Sequence, residues 1–435
     1  MNVRSLFPAR LKSDTTISVS ARQLAAFVAL GVSAAVLLAV LSHLTGLISE
    51  NKGLGFDGEH YARMIEVGFK RGTPSMRLRP VVLLINDEVN YHVFHDPLAT
   101  FRAMNLVYAG ALAIVLGALC RRYGGSPATA AILVLNLFLC ISIAKMFAFY
   151  PTLIDLGAYV FVAAATWAVV SGRRLWIVVT SVLAVLSREF GAVVVLFGIA
   201  RDLRLRRSVP TMAATYVPAV IAFFWIRTFA SSYSTGAEVN EPVLSAGGLV
   251  AALVKNVEWW RDPLYILFWV YFIATLFGGV SLALLTTTRP LKTCVREEPE
   301  WLAMIVPLLL VAALGYIDTW RYAAFLVPAV PPFWAWAVSG TEPRRRMWLF
   351  AVVSLATIAT QRPWQQMDLP TYFRDWFPYY VVIKDRAAAL DALWSVWRTH
   401  IVVAVVSLVA IALVGKWATA ERPSRGMTAL PHGVE

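Results

Sequence analysis

The sequence predicts an all-α polytopic membrane protein, and three observations carry that prediction. The 435 residues are 59% hydrophobic and only 15% charged, with a mean hydropathy of +0.65. Soluble domains run nearer to half apolar and about a quarter charged. Apolar runs recur along the whole chain, many of them near the ~20 residues needed to cross a bilayer. The basic residues behind the net charge of +13 fall in short clusters between those runs: Arg121-Arg122, Arg173-Arg174, Arg201 to Arg207 and Arg344 to Arg346. Such spacing is that of cytoplasmic loops under the positive-inside rule, not of a basic domain that grips nucleic acid.

At the N-terminus, residues 1–23 hold Arg4, Arg10, Lys12 and Arg22 and precede a first apolar run at 24–48. That run is longer than a signal-peptide core and lacks a small-residue cleavage site, so it is expected to be an uncleaved anchor with the N-terminus in the cytoplasm. Further spans are expected near 100–120, 127–148, 153–170, 209–232, 263–287, 301–317, 323–340, 347–361 and 400–416, with a cytoplasmic tail at 417–435. Cys120, Cys140 and Cys294 make neither an even framework nor a CxxC pair, so neither disulfides nor a zinc site are expected.

The stretch Leu175 to Ala200 has the length of one span but is flanked by Arg173-Arg174 and by RDLRLRR. One ordinary crossing would put one of those clusters outside. A hairpin of two short helices over 174–200, with SREFG at its tip from Ser187 to Gly191, keeps both on the same side. The chain then forms a single membrane domain of about twelve transmembrane or half-spanning helices, both termini inside.

This layout places outside the loop 49–99, the turn Lys145 to Asp155, the 187–191 tip, the loop 233–262, the turn Asp318 to Tyr322 and the loop 361–400. The inner loops are short and basic and carry no GxxxxGK[ST] phosphate loop, so chemistry is expected on the outer face without a nucleotide held by this chain.

In the first outer loop, GFDGEHYARMIEVGF sets Tyr61, Met64, Ile65, Gly68 and Phe69 at helical spacing. The pattern predicts an amphipathic interfacial helix from His60 to Phe69. Asp57 stands at or just before its start, where it suits a helix cap as well as a catalytic carboxylate. Glu59 and His60 suit a solvated helix start. Arg77, Arg79 and Pro80 turn the chain back toward the membrane, with two guanidinium groups fit for a lipid phosphate.

Lys145 and Asp155 lie at the edges of two apolar runs, where ionisable groups pair or face a cavity. Arg188 and Glu189 occupy the hairpin tip, Arg227 follows in FWIRTF, and Asp318 with Arg321 follows in GYIDTWRY. Acids and arginines in separate outer turns point to one shared polar cavity opening outward. The loop 361–400 is dense in Trp and Tyr, as an interfacial belt is, and long enough for a lid over an acceptor.

The order of these features resembles the GT-C superfamily of integral-membrane glycosyltransferases. An acidic motif follows the first span, then come an interfacial helix, an R-x-P return, the turn PTLID before the fourth span, and paired short helices meeting at LSREFG. The resemblance covers the organisation of about residues 1–230 well and the remainder loosely. It implies inverting hexosyl or pentosyl transfer from a polyprenyl-phosphate donor to a lipid-linked glycan or other envelope acceptor. The setting would be the outer or periplasmic face of the plasma (inner) membrane, with membrane lipids and no nucleic acid as partners. Asp57 would be the general base. Arg188, Arg321, Lys145 and Arg79 would hold the donor phosphate, and Asp155 or Glu59 would supply a second acid or bind the acceptor. Several branches carry adjacent acids in the first loop where this chain has Asp-Gly-Glu, so a divalent metal and the subfamily stay open. The competing class is a transporter or flippase of a lipid-linked or amphipathic substrate, and a third is a non-catalytic membrane subunit. The two halves of the chain show no similarity, and the charges gather at the outer ends of spans and not at their centres, which favours the enzyme.

Overall fold

A computed structural model describes residues 20–68, 73–232, 256–314, 319–368, 375–376, 382 and 385–419. All regular structure among them is helical. Four helices are long and apolar enough to cross a membrane: Ala21–Thr45, Pro97–Arg122, Val209–Ala230 and Arg386–Thr419. The number rises to six if two bent pairs are each one span. The described chain is therefore a helical protein of membrane-spanning character.

Several expected runs are broken or shorter than one crossing. The run at 127–148 is two helices, Pro127–Phe138 and Ile141–Phe149, bent by 66°. That at 263–287 is Pro263–Thr275 and Gly279–Leu285, bent by 100°. At this second bend the Gly279 N–H has left its own helix and donates to Thr357 Oγ1 at 2.9 Å, so the helix Pro343–Gln361 satisfies the break. Within 323–340 a tighter 3₁₀ turn, Val327–Ala329, precedes the helix Val330–Val338. Pro328, Pro331 and Pro332 lack the N–H groups that a continuous helix would use. Hydropathy runs do not register such breaks, because the breaking residues are themselves apolar or small.

The stretch 174–200 is two helices, Arg174–Ser187 and Ala192–Arg204, joined by a tight turn at Glu189–Gly191. The arms return to each other at their far ends. Arg174, first residue of one arm, holds Asp202 near the end of the other through Nη2–Oδ1 at 3.4 Å, and Tyr216 donates to the same carboxylate at 3.3 Å. The basic loops meet at this end of the molecule. Arg201 and Arg204 pair with the buried Glu300 at 2.9 and 2.7 Å, and Tyr123, beside Arg121-Arg122, donates to Glu298 at 2.8 Å. The hairpin tip lies at the other end, with the first loop.

An aromatic layer packs beneath that second end. Tyr159 meets Phe147 and Phe325 edge to face at 5.9 and 4.7 Å between ring centroids, and Phe147 meets Trp320 at 6.5 Å. Edge-to-face contacts of this kind fix ring orientation as well as burying area. They hold the 146–155 turn, the helix Asp155–Ser171 and the segment from Thr319 as one body. Cys120, Cys140 and Cys294 are all buried free thiols.

Candidate functional site

The interfacial helix begins earlier than its apolar spacing indicates, running Phe56–Val67 with Gly55 as its N-cap. Asp57 therefore lies in the first turn and its side chain caps nothing. The backbone N–H groups that a cap would satisfy go elsewhere: both Asp57 and Gly58 donate to the Tyr150 hydroxyl, the latter at 3.2 Å. Tyr150 comes from the turn before Asp155, so a distant side chain caps this helix and leaves the Asp57 carboxylate available. An acid in the first turn also faces the favourable end of the helix dipole. Burial pushes the Tyr150 hydroxyl pKa up, and the neighbouring Asp57 charge pushes it further, so it stays protonated.

The two glycines around Asp57 make this approach possible. Gly55 adopts φ +72 with the Tyr150 ring against it, and a Cβ on Gly58 would fall 1.8 Å from Thr152 Oγ1. Thr152 in turn donates to the Leu54 carbonyl at 2.6 Å. Gly-x-Asp-Gly is thus the shape that lets the 150–152 turn lie directly on the backbone carrying Asp57.

Arg321 joins the acids. Its Nε and Nη2 donate to Asp155 Oδ2 at 3.0 and 2.8 Å, and its Nη1 donates to Asp57 Oδ2 at 3.2 Å. On the other side of Asp155, Arg188 Nη1 approaches Oδ1 at 3.3 Å. Asp155 and Arg188 are fully buried, whereas the Asp57 side chain is 39% exposed. Arg188 is unusual: none of its three guanidinium nitrogens makes a hydrogen bond to a described residue despite complete burial. Leaving such donors unpaired is costly, so an acceptor placed against them would be held strongly. Next to this set, Arg79 Nη1 donates to the Tyr61 hydroxyl at 2.7 Å and Nη2 reaches Glu189 at 3.4 Å. Three arginines, from the first loop, the hairpin tip and the segment at 319–324, thus face Asp57, Asp155 and Glu189.

The remaining candidates lie elsewhere. Glu59 pairs on the surface with Arg63 at 3.2 Å, and His60 hydrogen-bonds to none of the described residues. Arg77 reaches the Ala230 carbonyl at 3.4 Å, and Arg227 stacks on Phe223 at 4.4 Å. Asp318 lies outside the described residues. Lys145 is not the ion-pair partner of Asp155. Its Nζ donates to the Arg362 carbonyl at 2.7 Å and sits 3.8 Å from the centre of the Trp376 ring. The single cavity expected from sequence is therefore resolved into two polar centres. Lys145 and Tyr150, at opposite ends of the short helix Met146–Phe149, contribute to one each.

Tyr150 and Arg362 were not singled out by sequence reasoning, and Tyr61 only for its place in the spacing of the interfacial helix. Their one sequence signal for the site is adjacency: Tyr150 directly precedes PTLID, Tyr61 follows GFDGEH, and Arg362 opens the last loop. Among the described residues no three His, Cys, Asp or Glu side chains converge to hold a metal ion. A guanidinium already stands between Asp57 and Asp155, so this donor set does not fit a divalent cation.

The fold and the site together define a helical membrane protein with a half-open arginine–carboxylate centre at one end and basic loops at the other. The chain matches no protein-family model, no curated protein and no solved structure.

Proposed function

We propose that this chain is a membrane glycosyltransferase of GT-C type, built of about twelve spanning or half-spanning helices, that acts on a polyprenyl-phosphate sugar at the outer face. One observation carries the reading: a partly exposed carboxylate, Asp57, shares Arg321 with the buried Asp155, beside a buried Arg188 whose donors are unused.

These residues divide by accessibility. Asp57 is the carboxylate of the centre that an acceptor hydroxyl reaches, and only its Oδ2 is bonded to Arg321. As general base it takes the hydroxyl proton while the acceptor oxygen bonds to the anomeric carbon. The bond from that carbon to the phosphate oxygen breaks on the opposite face, and the polyprenyl phosphate leaves with the electron pair. Negative charge grows on the leaving phosphate, and Arg188, Arg321 and Arg79 supply fixed guanidinium groups to meet it. Asp155 is too buried for a substrate and acts by positioning Arg321 and Arg188. Basic clusters gathered at the opposite end suit a cytoplasmic face, and this supports the reading that the centre faces outward from the plasma membrane.

The test is a comparison of donor and acceptor dependence in purified Arg188→Gln protein. The reading requires the KM for the polyprenyl-phosphate sugar to rise more than that for the acceptor. Equal loss for both would assign Arg188 a structural role. Movement of the lipid across a vesicle membrane with no new glycosidic bond would assign the centre to a transporter.

A further inference from the structure

The second polar centre lies beyond the proposed catalytic residues. Lys145, wholly buried, and Arg362, 9% exposed, approach the same indole, their charged groups 3.8 and 4.0 Å from the centre of the Trp376 ring. Arg362 Nη1 meets His400 Nε2 at 2.7 Å and Gln365 Oε1 at 3.0 Å, and Nη2 donates to the Asp375 carbonyl at 2.7 Å. Since arginine only donates, His400 accepts there, and its neutral ring carries its proton on Nδ1.

No carboxylate oxygen among the described residues comes within ion-pair distance of Lys145 or Arg362, whose polar partners are carbonyl and amide oxygens and a ring nitrogen. Two basic side chains are thus buried together on one aromatic face with no carboxylate of the described residues at ion-pair distance, an arrangement that proteins rarely leave uncompensated. Two donors are also unused. Arg362 Nε and Trp376 Nε1 are buried with no acceptor among the described residues. Both residues line the same recess, together with Gln361, Thr360, Tyr271 and Trp397. Burial pushes the Arg362 guanidinium down to about 10, with Tyr271 and Asp375 only partly opposing the shift. A bound anion would reverse the cost of that burial.

We propose that Arg362 and Trp376, with Lys145 against the same indole, form a second anion site, which takes a phosphate group at the recess that Arg362 and Trp376 line. A phosphate offers what the site lacks: negative charge for the Lys145–Arg362 pair and acceptor oxygens for Arg362 Nε–H and Trp376 Nε1–H. The inference does not depend on the glycosyltransferase reading. The bearer of the phosphate is either a lipid headgroup or the free anion, and both present the same oxygens.

The full-length protein in uncharged detergent, titrated calorimetrically with inorganic phosphate and separately with decyl phosphate, tests the site. Arg362→Gln and Lys145→Met are each expected to weaken phosphate binding at least tenfold, and Arg362→Lys less. Trp376→Phe keeps the ring and removes only the Nε1–H, so it is expected to weaken binding several-fold while the protein still folds. Binding of decyl phosphate alone assigns a lipid-borne phosphate, and comparable binding of both probes assigns the free anion. The same variants made in Arg188→Gln protein show that the loss belongs to this site and not to the Asp57 centre. Wild-type affinity and stoichiometry in both Trp376→Phe and Arg362→Gln, or binding of neither probe by the wild-type chain, would overturn the proposal.

Discussion

Arg321 Nη1 lies 3.2 Å from Asp57 Oδ2, across 264 positions of sequence. That contact ties the first loop to the segment at 319–324, and Asp155 stands behind it at 2.8 Å from the same guanidinium. Asp57 is therefore positioned by a charge held in turn by a buried acid. What reaches Asp57 depends on residues from three separate parts of the chain.

Replacing Asp155 by Asn is expected to be far more damaging to stability than any change at Glu59. Asp155 is fully buried against Arg321 and Arg188, and its loss strands two buried guanidinium groups. Breaking a buried pair in this way costs about 3–5 kcal/mol. Glu59→Gln removes only an exposed pair with Arg63, worth at most about 1 kcal/mol. Melting of the purified variants in detergent checks the difference; equal melting points would show that the Asp155 cluster is not a structural hub.

Gly58→Ala is expected to destabilise the chain by about 1–3 kcal/mol, because the new methyl group meets Thr152 Oγ1 at 1.8 Å. Trimming the neighbour, in Gly58→Ala/Thr152→Ala, should recover part of that loss. A double-mutant cycle in thermal melting measures the coupling, and strictly additive effects would contradict the packing described.

Tyr150→Phe removes the acceptor for two backbone N–H groups of the interfacial helix. The helix start loosens and transfer falls, although Tyr150 touches no reacting atom in this scheme. A pH signature accompanies the change. The Tyr150 pKa is raised from 10.0 by burial and by Asp57, so the folded state binds its proton more tightly than the unfolded chain. That contribution is complete below about pH 10 and declines as pH rises toward the higher folded value. The wild-type chain should thus lose stability in alkali more steeply than Tyr150→Phe; identical alkaline profiles would refute the contact.

Accessibility of introduced thiols tests the two ends of the molecule. Glu88 in the first loop and Ser208 after the hairpin are exposed, whereas the native cysteines are buried and give little background. Cysteines at 88 and 208 are expected to react with a membrane-impermeant maleimide from opposite sides of oriented vesicles. Labelling of both from one side would contradict the proposed topology.

Features of the molecule differ in how legible they are in the sequence. Helical class and the break between Arg174–Ser187 and Ala192–Arg204 were readable, because hydropathy and charge pattern are local quantities. So were Asp57, Asp155, Arg188 and Arg321, since isolated charges in an apolar chain announce themselves. Their partners were not. Lys145 meets Arg362 at a separation of 217 residues, while its nearer neighbour Asp155 goes to Arg188 and Arg321. Asp57 suits a cap as well as a catalytic carboxylate because caps are usually supplied within the same loop, whereas here Tyr150, 93 residues away, fills that role. Gly58 carried no signal of its own, because the need for a missing Cβ arises only when Thr152 is folded against it.

The most direct test of the central claim is sugar transfer by purified wild-type and Asp57→Asn protein, each supplied with radiolabelled polyprenyl-phosphate sugars and lipid-linked acceptors. The account predicts a labelled glycosidic product from the wild-type chain and a fall of about 10²–10⁴ in rate for Asp57→Asn, with melting and donor binding retained. Wild-type rates from a correctly folded Asp57→Asn protein would contradict it.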